Sequence, residues 1–176
     1  RGEADGKWEE STMKLIGIGL GPGDRDLITL KAVRCLGEID VAIAAASEKT
    51  GQSYALDIAQ EHIRPDTEIV KAFFPMSLDR SAREQAYNRY ADLIGERTGK
   101  GQSVGFLCIG DPMLYSTFGR LMQIVREKHP GLEVVTVPGI PAFCAAAAAA
   151  NRVIALDDDV ICIVPVNRVE RITAAA

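Results

Sequence analysis

The 176 residues include only two histidines, four cysteines and one tryptophan, and these shortages close off several kinds of chemistry. Cys35, Cys108, Cys144 and Cys162 stand far apart with no Cys-x-x-Cys pair, so neither a zinc knuckle nor a disulfide framework has the spacing it needs. Each lies in an apolar stretch and is expected to be a buried, reduced thiol. His62 and His129 lack partners at metal-ligand spacing, and no metal site is expected. No apolar run reaches the roughly 20 residues that a bilayer crossing requires. Arg1–Thr12 is polar and acidic, unlike a secretory leader, which is a basic segment followed by an apolar one. It reads as a flexible extension or tag remnant, with Met13 as the natural start. A basic excess is missing too: 20 Lys and Arg stand against 24 Asp and Glu, a net charge of −4. A general nucleic-acid binder would carry a basic surface. The expectation is a cytoplasmic protein with no nucleic-acid and no membrane partner.

What is present is an alternation. Lys14–Leu20 is a short apolar run ending in glycines and reads as a strand; Thr29–Glu38 carries Leu30, Val33 and Leu36 at helical spacing. Val41–Ala45 is a second strand, Ser53–His62 a second helix, and Glu68–Phe74 a third strand stopped by Pro75. Ser81, with Glu84 three residues on, forms a capping-box pattern for a helix running to about Thr98. Ser103–Ile109 and Glu133–Val137 are the fourth and fifth strands, around a helix at Ser116–Lys128. The alanine-rich Ala142–Ala150 is helical, Val160–Val164 is a sixth strand, and Val166–Ala176 begins another helix. Strands separated by helices pair in parallel through crossovers, and the continuous apolar runs suit strands covered on both faces. The expected fold is α/β, an open doubly wound parallel sheet with the start of a second α/β domain. The expected division is 1–12 extension, 13–150 N-terminal α/β domain, and 151–176 linker and beginning of the second domain.

Ligands of open parallel sheets bind outside the carboxyl ends of the strands. Three turns with little side-chain bulk fall there: Gly19-Leu20-Gly21-Pro22-Gly23-Asp24, Gly110-Asp111-Pro112 and Pro138-Gly139-Ile140-Pro141. Such turns let a ligand reach backbone N–H and C=O groups, and three on one rim make a small-molecule site. The first turn is not a dinucleotide fingerprint. Counted from Gly17, Pro22 replaces the third glycine; counted from Gly19, Asp24 does. No acidic residue ends the second strand and no P-loop occurs. Pro22 also removes a backbone donor, which suits packing against a ligand better than wrapping a pyrophosphate. Two readings of this turn stand together: a ligand-facing loop, or a tight connection with Asp24 or Asp26 capping the next helix. Asp111 either makes an Asx-turn or cap for the helix at Ser116, or offers its carboxylate to the ligand. Tyr115, Ser116 and Thr117 either line the pocket or simply begin that helix.

These motifs carry a resemblance. Ile18-Gly19-Leu20-Gly21-Pro22-Gly23-Asp24 with Asp26-Leu27-Ile28-Thr29-Leu30-Lys31-Ala32, then Gly110-Asp111-Pro112-Met113-Leu114-Tyr115-Ser116-Thr117, then Val137-Pro138-Gly139-Ile140, together resemble the tetrapyrrole methylase family. The resemblance spans nearly the whole chain after Met13. It implies two α/β domains, a homodimer, and S-adenosylmethionine folded into the cleft between the domains, leaving as S-adenosylhomocysteine. It places Gly110, Asp111, Leu114, Tyr115 and Ser116 at the cofactor, with Pro141 and Ala142. It sets the turn around Pro22 against the tetrapyrrole or the cofactor, with Pro22 at the cofactor and Gly21, Gly23 and Asp24 as the substrate-side loop. Pro141 stands where many relatives carry a small hydroxyl residue, which leaves backbone contacts there. Members of the family continue through a full second domain, of which 151–176 would be the beginning. Lys49–Ala59, Phe74-Pro75-Met76 and the alanine-rich helix after Phe143 further imply methyl transfer to C-20 of precorrin-2, or of its cobalt-containing counterpart, in cobalamin biosynthesis.

The implied chemistry asks little of side chains: an electrophilic sulfonium carbon must be aligned with an electron-rich meso carbon, and water excluded. A base must collect one proton, and Asp111 is the candidate. The carboxylates of a tetrapyrrole call for cations, with Arg80, Arg83 and Arg120 available. Other readings are a relative acting on uroporphyrinogen or a later precorrin, an enzyme like diphthine synthase, and a non-catalytic nucleotide-sensing domain of the same fold.

Overall fold

The computed structural model describes residues 14–75 and 79–165. The expected N-terminal extension and the expected helix at Val166–Ala176 lie outside the described residues. By contacts the chain divides into two units, one ending at Ala142 and one beginning at Phe143.

In the first unit strands and helices alternate: β1 (Lys14–Gly19), α1 (Leu30–Leu36), β2 (Val41–Ala45), α2 (Tyr54–Ala59), β3 (Glu68–Ala72), α3 (Arg80–Gly99), β4 (Val104–Cys108), α4 (Thr117–Lys128) and β5 (Glu133–Val137). All pairs are parallel, in the order β3-β2-β4-β1-β5. The sheet is therefore the open α/β sheet expected from the alternation.

Side chains on neighbouring strand positions point to opposite faces, and each face has its own core. On one face Leu15, Val41, Ile43, Phe106 and Cys108 pack with Tyr90 and Ile94 of α3 and with Phe118, Leu121 and Val125 of α4. On the other, Ile16, Ile18, Ala42, Ala44 and Leu107 pack with Ala32 and Leu36 of α1 and Ala55 and Ile58 of α2. Gly17 takes the place of a side chain on the first face, because a Cβ there would run into the ring of Phe118. The helices that follow β2 and β1 thus leave to one face, and those that follow β3 and β4 leave to the other. Strands β2 and β4 are neighbours with diverging helices, the arrangement that opens a crevice at the carboxyl rim.

Three expectations need correction. The long third helix is capped by Asp79, whose Oδ1 accepts from Ser81 N at 2.8 Å and Ala82 N at 3.3 Å. Ser81 lies inside the helix, and Glu84 pairs with Arg120 at 3.1 Å instead of folding back as a capping box. The segment Val160–Val164 is not a strand; it takes no regular ladder, and Val160 is 86% exposed. A β-branched run becomes a strand only where a neighbour supplies a ladder. Finally, Cys35 and Cys108 are buried, but Cys144 is half-buried and Cys162 exposed. In the second unit, the helix α5 (Ala142–Ala149), whose first residue closes the first unit, is followed by irregular backbone to residue 165.

Candidate functional site

The three small-residue turns meet. Gly21 and Gly110 form an antiparallel bridge, with Gly110 N donating to Gly21 O at 2.7 Å and Gly21 N to Gly110 O at 3.4 Å. Both have positive φ, 76° and 70°, a backbone region that side chains with a Cβ avoid. Leu20 N donates to Cys108 O at 2.9 Å, so the pairing of β1 with β4 carries on into the turns. The third turn closes against both. A Cβ on Gly19 would lie 2.5 Å from Gly139 N, and one on Gly139 would strike Gly110 O. Gly19 and Gly139 are therefore required by backbone packed on backbone.

Asp111 holds this junction together. Its Oδ1 accepts from Met113 N at 2.8 Å, the Asx-turn, and its Oδ2 accepts from Gly139 N at 3.0 Å, across to the turn after β5. In the first turn Asp24 accepts from Asp26 N at 3.0 Å and caps a short 3-10 turn at Arg25–Leu27. The helix α1 has its own cap in Thr29, which accepts from Ala32 N at 3.2 Å.

The main hollow lies beside this junction, where α2 and α4 diverge. It has a volume of about 650 Å³ and is lined by the ends of β2 and β4, the segment after them, and the first residues of both helices. Tyr54 and Tyr115 stand on it as exposed aromatics, 66% and 68% accessible, and Phe74 and Phe106 supply apolar wall. Tyr115 adopts φ 49°, an uncommon backbone state for an aromatic residue, of the kind that clusters at ligand sites. Ser116 caps α4 by accepting from Phe118 N at 3.2 Å and donates to Cys108 Sγ at 3.4 Å. Burial pushes the Cys108 thiol up to about 12, with the Ser116 hydroxyl pulling the other way, so it is a neutral thiol in the wall and not a nucleophile. A smaller hollow of about 330 Å³ is bordered by Pro22, Gly23, Arg25 and Tyr54.

The expected site residues are thus distributed. Tyr115, Ser116 and Thr117 line the main hollow, and Pro22 and Gly23 line the smaller one. Gly21, Gly110 and Asp111 form the junction between turns; Leu114 is half-buried, with its N–H donating to Asp111 O at 3.3 Å. Pro141 is half-buried and Ala142 exposed at the start of α5. Asp24 is exposed and spent on its cap. Reading the sequence for glycine turns misses Ala45, Ala46, Tyr54, Phe74 and Ile109 in the wall of the main hollow. The signals that touch them are the Lys49–Ala59 stretch, which contains Tyr54, and Phe74-Pro75-Met76, which contains Phe74. Among the described residues no three His, Cys, Asp or Glu cluster at a metal-binding distance, and no helix is long and apolar enough to cross a membrane.

A parallel α/β sheet with close-packed turns on its carboxyl rim, beside a hollow of about 650 Å³, defines a doubly wound protein with a hollow of small-molecule size where ligands of such sheets bind. The model of the Tetrapyrrole (Corrin/Porphyrin) Methylases matches residues 14–176, and the chain belongs to that family. It is 38% identical over 144 residues to the cobalt-precorrin-2 C(20)-methyltransferase of Salmonella typhimurium, covering 82% of this chain and 60% of that protein. It is 33% identical over 152 residues to the probable cobalt-precorrin-2 C(20)-methyltransferase of Methanocaldococcus jannaschii, covering 86% of this chain and 64% of that one. Among solved structures it is similar to a cobalt precorrin-4 methyltransferase of cobalamin biosynthesis, with a TM-score of 0.62 and 29% identity over 84% of this chain and 54% of the other. The chain spans 60% and 64% of the length of the two curated relatives.

Proposed function

We propose that this chain carries the N-terminal part of an S-adenosylmethionine-dependent C-methyltransferase that acts at C-20 of precorrin-2, or of its cobalt-containing counterpart, on the way to cobalamin. Two similar proteins bear names of that activity. The observation that carries the reading is the convergence of three turns beside the main hollow. The rim suits a compact nucleoside ligand. A Cβ on Gly110 or Gly23 would meet nothing within 4 Å, so both leave open backbone, while Asp111 is held in place by two N–H groups. Bound there, S-adenosylmethionine would supply an electrophilic methyl carbon.

The protein's part is alignment and exclusion of water. Gly110, Asp111, Leu114, Pro141 and Ala142 would contact the cofactor along the rim, and Tyr115 and Ser116 would close it from the α4 side. Pro22 would touch the cofactor from the first turn, and Gly21, Gly23 and Asp24 would face the tetrapyrrole. If Asp111 also collects the proton, it must use lone pairs that Met113 N and Gly139 N leave free. Residues 13–150 are read as the N-terminal domain and 151–176 as linker and start of a second α/β domain, in a cytoplasmic homodimer.

The test is calorimetry of S-adenosylhomocysteine against the chain and against the protein completed to the length of its relatives. Saturable binding by the completed protein, followed by methyl transfer to precorrin-2 in preference to uroporphyrinogen or later precorrins, is expected. Absence of binding overturns the reading.

A further inference from the structure

A second hollow, of about 590 Å³, opens next to the first, and Glu48 lines both. One side of it is a face of α3 on which Ala82, Gln85, Ala86 and Arg89 recur at helical spacing. Phe73 and Pro75 supply another side. Among the described residues Arg89 is the only guanidinium on it.

Arg89 differs from the arginines that serve the fold. Arg25 pairs with Glu61, Arg64 with Asp40 and Asp66, Arg97 with Glu68, and Arg120 with Glu84. Arg89 has no carboxylate partner among the described residues. Its Nη2 donates to Tyr90 Oη at 3.1 Å, and that oxygen also accepts from Phe73 N at 2.8 Å. Its guanidinium carbon lies 4.8 Å from the centroid of the Tyr90 ring. Tyr90 is 5% exposed, so the guanidinium is braced on a fixed support. A guanidinium has five N–H donors in a rigid fork that matches a carboxylate, and here one of them is used. Across the shared wall Lys49 borders the main hollow, exposed and without an ion pair among the described residues. Among the described residues Glu48 is the one carboxylate lining these two hollows. A local excess of cations therefore faces an apolar, aromatic-walled space in a chain whose net charge is −4. Of the cations expected from the sequence, Arg120 is bound to both oxygens of Glu84 at 3.1 Å, and Arg80 and Arg83 line none of these hollows.

We propose that Arg89 and Lys49 anchor the carboxylate arms of a flat polycarboxylate macrocycle whose ring lies across the mouth of the main hollow towards the smaller one, which shares Tyr54 and Ile109 with it, and so fix which carbon of the ring faces the rim. The assignment rests on the methyltransferase reading for the identity of the ligand, but its own test needs neither cofactor nor turnover. The probe is uroporphyrin, a macrocycle with eight carboxylates, titrated by fluorescence at low salt. The wild-type chain binds it, and binds a dicarboxylate porphyrin at least tenfold more weakly. R89A and K49A each weaken uroporphyrin binding about tenfold, and R89K restores less than half of the loss because an ammonium lacks the fork. R126A, on the exposed end of α4, binds like the wild type. Urea midpoints within experimental error of the wild type confirm that the variants are folded. Wild-type affinity in both R89A and K49A, or equal affinity for the two porphyrins, overturns the proposal. In the completed protein S-adenosylhomocysteine binds R89A as it binds the wild type. Loss of that binding in the wild type itself sinks the methyltransferase reading and leaves the porphyrin result standing.

Discussion

Asp111 uses one oxygen for Met113 N at 2.8 Å and the other for Gly139 N at 3.0 Å, so one half-buried side chain joins the turn after β4 to the turn after β5. Hydrogen bonds to a charged acceptor contribute more than neutral ones. D111A is expected to lower stability by about 1–3 kcal/mol, read from urea unfolding. D111N sets an amide N–H₂ against one of the two donors and loses nearly as much, whereas an ordinary exposed Asp→Asn change costs little. A D111N protein as stable as the wild type would show that the clasp contributes nothing. Cys108 makes a second residue-level case. Its thiol is pushed from the ordinary 9.0 to about 12 by burial. Below pH 9 the thiol is neutral in both the folded and the unfolded chain. As pH rises from 9 towards 12 only the unfolded chain gains a thiolate, so stability falls through that window. C108A should flatten the fall in the urea midpoint above pH 9. In native protein at pH 8, iodoacetamide should modify exposed Cys162 long before Cys108, as peptide mass spectrometry would show.

At the scale of elements, the packing of β1 on α4 depends on the absence of one methyl group. A Cβ on Gly17 would overlap the ring of Phe118, and overpacking of this kind typically costs about 1–3 kcal/mol. G17A should destabilise by that amount, and F118L should recover part of it in the double mutant. Additive losses in the cycle would rule out the contact. The cap of α3 provides an independent check. D79A removes the acceptor for Ser81 N and Ala82 N and should cost about 1 kcal/mol, while S81A should change little. The same helix shows where legibility in the sequence ends. Its extent to about Thr98 is legible in the sequence, and the structure buries Ala86, Tyr90, Ile94 and Thr98 along it, but Asp79 and Ser81 are both good caps, and choosing between them depends on where the chain leaves β3. The strands Val104–Cys108 and Val41–Ala45 are legible because both faces are covered and their apolar runs are unbroken. Val160–Val164 is just as unbroken an apolar run and forms no strand, since hydropathy does not record whether a ladder is at hand.

For the molecule as a whole, the alternation of elements implies a parallel sheet, and the glycine turns mark its rim. The order β3-β2-β4-β1-β5 cannot be read the same way, because it depends on which crossovers neighbour each other. The main hollow follows from that order: Ala45, Phe74 and Ile109 are ordinary apolar residues until β2 and β4 are adjacent and their helices part. Gly19 and Gly139 look like ligand-facing glycines in the sequence, yet their need for no side chain comes from each other. The two units also differ in how their apolar residues are held. In the first, most large apolar side chains belong to one of two cores. In the second, Val153, Leu156 and Val160 are 70%, 63% and 86% exposed on backbone without a helix or strand. A protease that selects apolar residues needs a stretch of extended, accessible backbone, which the buried strands and the interiors of the helices do not offer. Among the described residues thermolysin, cutting before Leu, Ile and Val, should therefore make its first cuts between Arg152 and Val164. It should leave the sheet from β1 to β5 intact, with an unchanged urea midpoint for the remaining fragment. First cuts inside α3, α4 or the strands would mean that the two cores are much less stable than their burial implies.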